Sequence, residues 1–306
     1  MAGDMSENWL PRTPAHSSLR PSAPVWVTAD LALAANVCTW SGITGKVLRM
    51  DSGIEAPLGY YRLGSNFEKF VKIIPQDHSE LQLKSDRMAA WLEQNNIAVS
   101  RLLKGFPRKI DEKIAVLAYD YIDGRFSNNS PSDIEALGLS LGELHSALGK
   151  CPFQEEIRTA GNSRHDELIS RLAETQTSPG DLPVPAEVQE ILGCASSELL
   201  QGLSNRAQVI HGDLNYGNVI FQGSEPVPVF LDFEDSWSAW FSPIMDLALV
   251  IERFILGDDE AETIALSKIL LEAYYSVSDN RFEHPEELRL IPVSYTHLRA
   301  HETKTR

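Results

Sequence analysis

A polar loop interrupts a strand-forming run at residues 209–221, which read VIHGDLNYGNVIF. Valine, isoleucine and phenylalanine on both sides favour β-strands, so the chain enters and leaves a core around this loop. The loop gathers His211, Asp213, Asn215 and Asn218, whereas a turn requires only Asn, Asp or Gly at its bend. The histidine and the ordered oxygen groups therefore indicate chemistry, with a solvated hairpin turn as the alternative.

The elements around this loop change character once along the chain. Short strand-like runs dominate from Lys46 to Tyr121, with one helical stretch at residues 79–96. After Gly124 the pattern becomes helical. One face of the first helix in this part carries four leucines: Leu137, Leu141, Leu144 and Leu148. The pattern predicts an α+β fold, with a small antiparallel sheet carrying one helix, a hinge at residues 119–124 and a larger, mainly helical part.

Both ends of the chain differ from this pattern. Residues 1–24 are rich in Pro, Ser and Ala and predict a flexible segment. Residues 293–306 are basic and non-periodic, and their VSYTHLRAHET resembles a translated frame of a sequencing-library adaptor. We therefore expect an N-terminal lobe with hinge at 25–124, a truncated C-terminal lobe at 125–292 and a non-native tail, with a native basic tail as the alternative.

Composition limits the possible partners. The 306 residues include 27 Lys and Arg against 43 Asp and Glu, a formal net charge of −16. Such a charge argues against nucleic acid or an anionic membrane as a partner and suits a cationic or neutral substrate. The three cysteines, Cys38, Cys151 and Cys194, are far apart and odd in number, which fits a reducing compartment. We expect a cytoplasmic protein.

Five sequence motifs together resemble the aminoglycoside phosphotransferase and choline kinase family. HGDLNYGN at residues 211–218 and LDFED at 231–235 resemble its catalytic loop and metal-binding segment. YDYIDGR at 119–125, LGELH at 141–145 and DLA at 246–248 match the hinge and two helices. The combined spacing is far more specific than either of the first two motifs alone. The resemblance implies a two-lobed protein-kinase-like fold that uses ATP and Mg²⁺.

The resemblance also assigns roles in the catalytic loop. Asp213 matches the residue that accepts or orients the proton of the substrate hydroxyl, and Asn218 and Asp232 match the metal ligands. Both of these residues offer the hard oxygen atoms that Mg²⁺ prefers. His211 is expected to brace the metal-binding segment, and Asp246 to hydrogen-bond the catalytic loop.

The nucleotide-binding residues follow from the fold that the resemblance implies. Lys72 in FVKII is expected to reach the α- and β-phosphates, with a solvent-facing strand lysine as the alternative. Its helical carboxylate partner is expected to be Asp86, although Glu80 and Glu93 are one or two turns away. Further nucleotide contacts are expected at a phosphate-covering turn and at the hinge, from Ser52, Gly53, Tyr119 and Tyr121.

Several neighbouring residues have two interpretations. Trp237 and Trp240 would either stack on a substrate or, more commonly for aromatic residues after such a strand, pack in the core. Glu234 and Asp235 would either reach a cationic substrate or a second metal, or form a solvated acidic turn.

The sequence thus predicts an ATP-dependent kinase of a small-molecule hydroxyl, such as an amino alcohol, amino sugar, sugar or homoserine-like metabolite. A catalytically silent kinase-like binding protein is the alternative, but it would usually lack one of Asp213, Asn218 and Asp232. A protein kinase is less favoured because no APE-like anchor follows Asp232. The acceptor, the choice between ATP and GTP and the oligomeric state stay open.

Overall fold

The structure is a computed structural model that describes residues 24–161, 207–257 and 259–278. The tail at 293–306, most of the segment at 1–24, and residues 166–172 and 186–203 of the predicted helical part lie outside the described residues. The predicted lobe boundaries stay predictions.

The strands and helices are numbered in chain order. The strands are β1 (Trp26–Thr28), β2 (Lys46–Met50), β3 (Gly59–Gly64), β4 (Lys69–Pro75), β5 (Arg108–Lys109), β6 (Ile114–Asp120), β7 (Gln208–Val209), β8 (Val219–Gln222), β9 (Val227–Phe230) and β10 (Trp240–Phe241). The helices named below are α1 (Leu31–Ser41), α2 (Ser79–Gln94), α3 (Pro131–Leu148), α4 (Ile244–Val250) and α5 (Glu260–Val277).

The described residues form two compact units. The sheet unit consists of residues 24–127 and 217–234, and the helical unit consists of residues 128–161, 207–216 and 235–278. The sheet unit contains a six-stranded sheet in the order β1-β2-β3-β4-β6-β5, with every neighbouring pair antiparallel. It also contains the β8–β9 hairpin. The predicted α+β class with an antiparallel sheet is confirmed.

Alternation along the strands gives the sheet two different faces. One face buries an apolar core that includes Tyr61, Val71 and Val116, and α1 packs against this core through Leu33. Side chains on the other face line a cavity and include Lys72. Because side chains alternate along β4, Lys72 lies on the cavity face while its neighbour Val71 lies on the core face.

Helix α1 was not predicted by the sequence pattern. Its sequence, LALAANVCTWS, is apolar almost all round and lacks the spacing of an amphipathic helix. Local capping defines its ends: the Asp30 side chain accepts a hydrogen bond from the Leu33 amide at 2.9 Å, and Gly42 ends the helix with φ of 68°. The sheet unit therefore carries two helices instead of one.

The helical unit is built around the packing of α3 against α5. The four predicted leucines of α3 are all fully buried. A β-carbon at Gly138 would lie 2.5 Å from the carbonyl oxygen of Leu270, and one at Gly142 would lie 2.9 Å from that of Tyr274. The two glycines of α3 therefore permit a backbone approach that any larger residue would prevent. None of the helices in the described ranges has the length and apolarity needed to cross a membrane.

Candidate functional site

The sheet unit contains a cavity of about 840 Å³. Its walls come from the non-core face of the sheet, from α2, from the segment after β6 and from the β8–β9 hairpin. One part of the wall carries Lys72, Asn218 and Asp232, and another part carries aromatic side chains. The cavity thus combines a charged region with an aromatic region.

Lys72 and Asp232 form an ion pair in this cavity. The distance between Lys72 Nζ and Asp232 Oδ2 is 3.5 Å, and both side chains are partly buried. Burial lowers the pKa of Lys72, but the negative charge of Asp232, together with Tyr119, Tyr60 and Glu234, outweighs this effect and raises the pKa above its ordinary value. Lys72 therefore keeps its positive charge at neutral pH.

Asp232 adopts a backbone conformation that is uncommon for a residue with a side chain. Its φ is 60°, in the left-handed region. Hydrogen bonds hold the residues on either side: the Leu231 amide donates to the Asn218 carbonyl at 2.9 Å, and the Phe233 amide donates to Ser85 Oγ at 3.0 Å. The first bond also ties the segment before Asp232 to Asn218, so both predicted metal ligands belong to the same cavity wall.

The oxygen atoms of Asn218 and Asp232 fit the requirements of Mg²⁺, which takes hard oxygen ligands and commonly only one or two protein carboxylates. Within the ranges that the structure describes, no group of three or more His, Cys, Asp or Glu side chains forms an alternative metal site. Asn218 and Asp232 thus offer oxygen ligands of the kind that Mg²⁺ takes.

Asp86 lines the same cavity on α2, but its carboxylate binds Arg101. Arg101 Nε donates to Asp86 Oδ1 at 2.9 Å, and the Leu102 amide donates to the same oxygen at 2.9 Å. The hydrogen bond to Asp86 raises the pKa of Arg101, and Glu93 adds a second ion pair at 2.6 Å. In this structure, Lys72 is thus paired with Asp232, while the predicted helical partner Asp86 is paired with Arg101.

The predicted phosphate-covering turn connects β2 to β3. Asp51 lines the cavity, whereas Ser52 and Gly53 are exposed and do not. Gly53 has φ of 72°, and an added β-carbon would meet nothing within 4 Å. Tyr61 ties the turn to β3 by donating its hydroxyl proton to the Pro57 carbonyl at 2.6 Å. The space around Gly53 is therefore open.

The aromatic region of the cavity includes the predicted hinge residues Tyr119 and Tyr121. Further aromatic residues line it that the sequence pattern did not single out, among them Trp26, Tyr60 and Phe70. Tyr60 and Phe70 stack with ring centroids 6.0 Å apart, and Trp26 meets Phe70 edge-on at 6.5 Å. Phe70 lies two residues before Lys72 on β4, so strand alternation alone predicts that it shares the cavity face. The positions of Trp26 and Tyr60 depend on how the strands pair.

Tyr119 also closes one side of the cavity. Its hydroxyl donates to Gln82 Oε1 on α2 at 3.2 Å. Burial raises the pKa of Tyr119, so its hydroxyl keeps its proton at neutral pH. Gln82, Ser85, Asp86 and Ala89 all line the cavity from α2, and their spacing of three and four residues places them on one helical face. Gln82 and Ser85 were also not singled out by the sequence pattern.

The helical unit holds the loop that carries Asp213. The amides of His211 and Gly212 donate to the two carboxylate oxygens of Asp246, at 2.8 and 3.0 Å. The Asp213 amide donates to His211 Nδ1 at 3.3 Å, and Asn215 Nδ2 donates to Asp213 Oδ2 at 3.1 Å. Three successive amides of the loop thus have acceptors inside this unit, and the loop backbone is held in place.

The carboxylate of Asp246 is itself supported from α3 and α5. His145 Nε2 lies 3.0 Å from Asp246 Oδ2, and His145 Nδ1 lies 3.0 Å from the Tyr274 hydroxyl. All three side chains are completely buried. A carboxylate only accepts, so His145 Nε2 carries the proton, and in the neutral ring Nδ1 accepts from Tyr274.

Trp237 and Trp240 lie in the helical unit and contribute to its packing. Trp237 is 5% exposed and stacks at a tilt on Phe153, with ring centroids 5.1 Å apart. Trp240 belongs to β10 and pairs with Val209 of β7. These contacts favour the packing interpretation for both tryptophans. Of the two acidic neighbours, Glu234 belongs to the sheet unit and Asp235 to the helical unit.

An antiparallel sheet unit with a charged cavity and a second, mainly helical unit are typical of small-molecule phosphotransferases of protein-kinase-like fold. The model of the phosphotransferase enzyme family, APH, matches residues 46–286. The chain therefore belongs to this family, as its motifs predicted. A comparison with curated protein sequences finds no significant match.

Solved structures with the same fold are distant in sequence. The chain is 17% identical to aminoglycoside phosphotransferase APH(3'')-Id from Streptomyces rimosus, in complex with ADP and streptomycin, with a TM-score of 0.54 over 89% of this chain and 92% of that one. It is 15% identical to an APH(2'') enzyme in complex with GDP and kanamycin, with a TM-score of 0.61 over 90% and 94%. It is 16% identical to amicoumacin kinase hAmiN in complex with AMP-PNP and Ca²⁺, with a TM-score of 0.54 over 94% and 82%.

Proposed function

We propose that this protein transfers the γ-phosphoryl group of ATP to a hydroxyl of a small molecule. The observation that carries the proposal is the ion pair between Lys72 and Asp232, which are 160 residues apart, in a cavity that Asn218 also lines. A protonated lysine beside two oxygen ligands is the arrangement that a triphosphate and its cation require.

In this proposal, Lys72 binds the α- and β-phosphates, while Asn218 and Asp232 hold Mg²⁺. The bound Mg²⁺ would neutralise phosphate charge and orient the γ-phosphate. The aromatic side chains of the cavity, including Tyr119 and Tyr121, receive the base. Ser52 and Gly53 contribute to the same nucleotide site through the turn that covers the phosphates. Asp86 contributes from the cavity wall, where it holds Arg101 and the Leu102 amide in place.

Asp213 is proposed to act on the acceptor. It accepts or orients the proton of the acceptor hydroxyl as the hydroxyl oxygen bonds to the γ-phosphorus. The bond from that phosphorus to the bridging oxygen breaks at the same time, and ADP leaves. Asp246 and His211 support this residue through the loop amides described above.

The acceptor is proposed to be a cationic or neutral hydroxylated compound, because the chain carries a net charge of −16. The complexes of relatives with streptomycin and kanamycin support the inclusion of amino sugars. Amino alcohols, sugars and homoserine-like metabolites complete the set. We place this chemistry in the cytoplasm, where ATP is available.

The proposal is tested by incubating the protein with Mg·ATP and a panel of aminoglycosides, amino alcohols, sugars and homoserine. Release of ADP and a new phosphomonoester signal in ³¹P NMR should coincide for one compound class. Asp213→Asn should slow the appearance of both signals by roughly 10²- to 10⁴-fold while it keeps nucleotide binding. Tight nucleotide binding with no product from any class would instead support a catalytically silent binding protein.

A further inference from the structure

The backbone at Asp232 requires support from its surroundings. A φ of 60° is strained for a residue that has a β-carbon, and such conformations persist where flanking contacts hold them. On the N-terminal side, the Leu231 amide bonds to the Asn218 carbonyl, a contact that continues the pairing of the β8–β9 hairpin. The support on the C-terminal side has a different origin.

On the C-terminal side, the Phe233 amide donates to Ser85 Oγ at 3.0 Å. The two residues are 148 positions apart, and their side chains are 1% and 8% exposed. A buried amide without an acceptor is strongly disfavoured, so this bond constrains the peptide that directly follows Asp232. Ser85 provides the constraint from the face of α2 that lines the cavity.

We propose that Ser85 is a positioning residue for Asp232. Its hydroxyl anchors the Phe233 amide, and this anchor keeps the Asp232 carboxylate directed at the cation and at Lys72. The inference rests on the proposed function, because that function assigns Asp232 as a metal ligand. Ser85 acts through the backbone, so its loss should affect the metal site more than it affects nucleotide binding without metal.

The choice of side chain at position 85 supports this role. Ser85 lies beside Gln82 and Asp86 on one face of α2, and both of these neighbours already use their side-chain oxygens, Gln82 with Tyr119 and Asp86 with Arg101. A short hydroxyl can accept an amide proton close to the helix without filling the cavity. Alanine at this position would keep the helix and remove only the acceptor.

The experiment compares Ser85→Ala with Ser85→Thr, which keeps the hydroxyl, and with Ser79→Ala, the same change at the start of α2. Two measurements are made on the full chain: hydrogen exchange of the Phe233 amide by NMR, and Mn²⁺ affinity of the ADP-bound protein by EPR. We expect Ser85→Ala to speed the exchange and to weaken Mn²⁺ binding by about 10-fold, as loss of one buried hydrogen bond implies. ADP affinity without metal should change less than about 2-fold.

Ser85→Thr should restore both properties, and Ser79→Ala should leave both unchanged. The proposal is overturned if Ser85→Ala matches Ser79→Ala, or if exchange is faster while Mn²⁺ affinity is unchanged. Asp232→Ala is measured alongside to separate this result from the proposed function. If Asp232→Ala leaves Mn²⁺ affinity intact, both the metal assignment and the role of Ser85 fail. If Asp232→Ala weakens Mn²⁺ binding and Ser85→Ala leaves it intact, only the role of Ser85 fails.

Discussion

Asp213 and Asp232 are both carboxylates, but they have different surroundings. Asp232 faces a lysine in the sheet unit, whereas Asp213 lies on a loop of the helical unit whose amides are bound by Asp246 and His211. One carboxylate is therefore suited to charge pairing and metal binding, and the other is suited to proton transfer at a defined position. Different variants should separate these two tasks.

Replacing Asp232 with Ala removes a proposed metal ligand and the partner of Lys72. We expect both Mg·ATP affinity and turnover to fall, with partial recovery at high Mg²⁺ concentration, because Asn218 still offers an oxygen ligand. Calorimetric titration with Mg·ATP and steady-state kinetics at several Mg²⁺ concentrations check this expectation. Unchanged affinity and an unchanged Mg²⁺ requirement would remove Asp232 from the metal site.

Replacing Asp213 with Asn keeps the shape of the side chain and removes its charge. Turnover should fall by roughly 10²- to 10⁴-fold, the usual contribution of a positioned acid or base, while nucleotide affinity stays near that of the parent protein. Single-turnover kinetics beside nucleotide titration measure the two effects separately. Normal turnover in this variant would exclude Asp213 as the base.

At the scale of elements, the closely packed helices α3 and α5 also carry a buried polar contact. Helices α3 and α5 approach closely at Gly138 and Gly142, and the same two helices contribute His145 and Tyr274 to the carboxylate of Asp246. The packing of the helices therefore also sets the position of the loop that begins at His211.

His145→Leu should destabilise the protein by about 3–5 kcal/mol, because the buried Asp246 carboxylate loses a hydrogen-bond donor. Tyr274→Phe removes only a hydroxyl and should cost about 1 kcal/mol. Urea unfolding followed by circular dichroism measures both values. Ser146→Ala, next to His145 on α3, is the matched control, since its hydroxyl bonds to the Gly142 carbonyl of its own helix. Equal midpoints for His145→Leu and this control would show that the buried contact does not contribute.

At the scale of the whole molecule, ligand binding should be coupled to stability. A ligand that binds only the folded protein stabilises it by about 2.7 kcal/mol at a concentration of 100 times its Kd. For a chain of this size, such a gain should raise Tm by roughly 4 °C. The rise should be largest with Mg²⁺ and nucleotide together.

Differential scanning fluorimetry of the full chain with ADP, with Mg²⁺ and with both checks this expectation. Lys72→Met is the control, because it removes the cation that is proposed to bind the phosphates and keeps a similar apolar stem. A rise in Tm that is as large in Lys72→Met as in the parent protein would place the nucleotide elsewhere.

The motifs of the catalytic loop and the metal-binding segment were readable from the sequence, because their residues are close along the chain. The same holds for the faces of regular elements: the leucines of α3 and the alternation around Lys72 follow from helix and strand geometry. The sequence does not predict helix α1, because its residues are apolar on most sides. The three- and four-residue spacing of apolar residues that identifies an amphipathic helix is absent.

Contacts between distant segments were decided only by the tertiary structure. Lys72 pairs with Asp232 across 160 positions, Phe233 with Ser85 across 148, and Asp86 with Arg101 instead of with Lys72. Side-chain periodicity determines which face of an element is buried, but the partner of that face depends on how the elements pack. The sequence therefore determined the family, the loop residues and the faces of the elements, whereas packing decided which side chains support them.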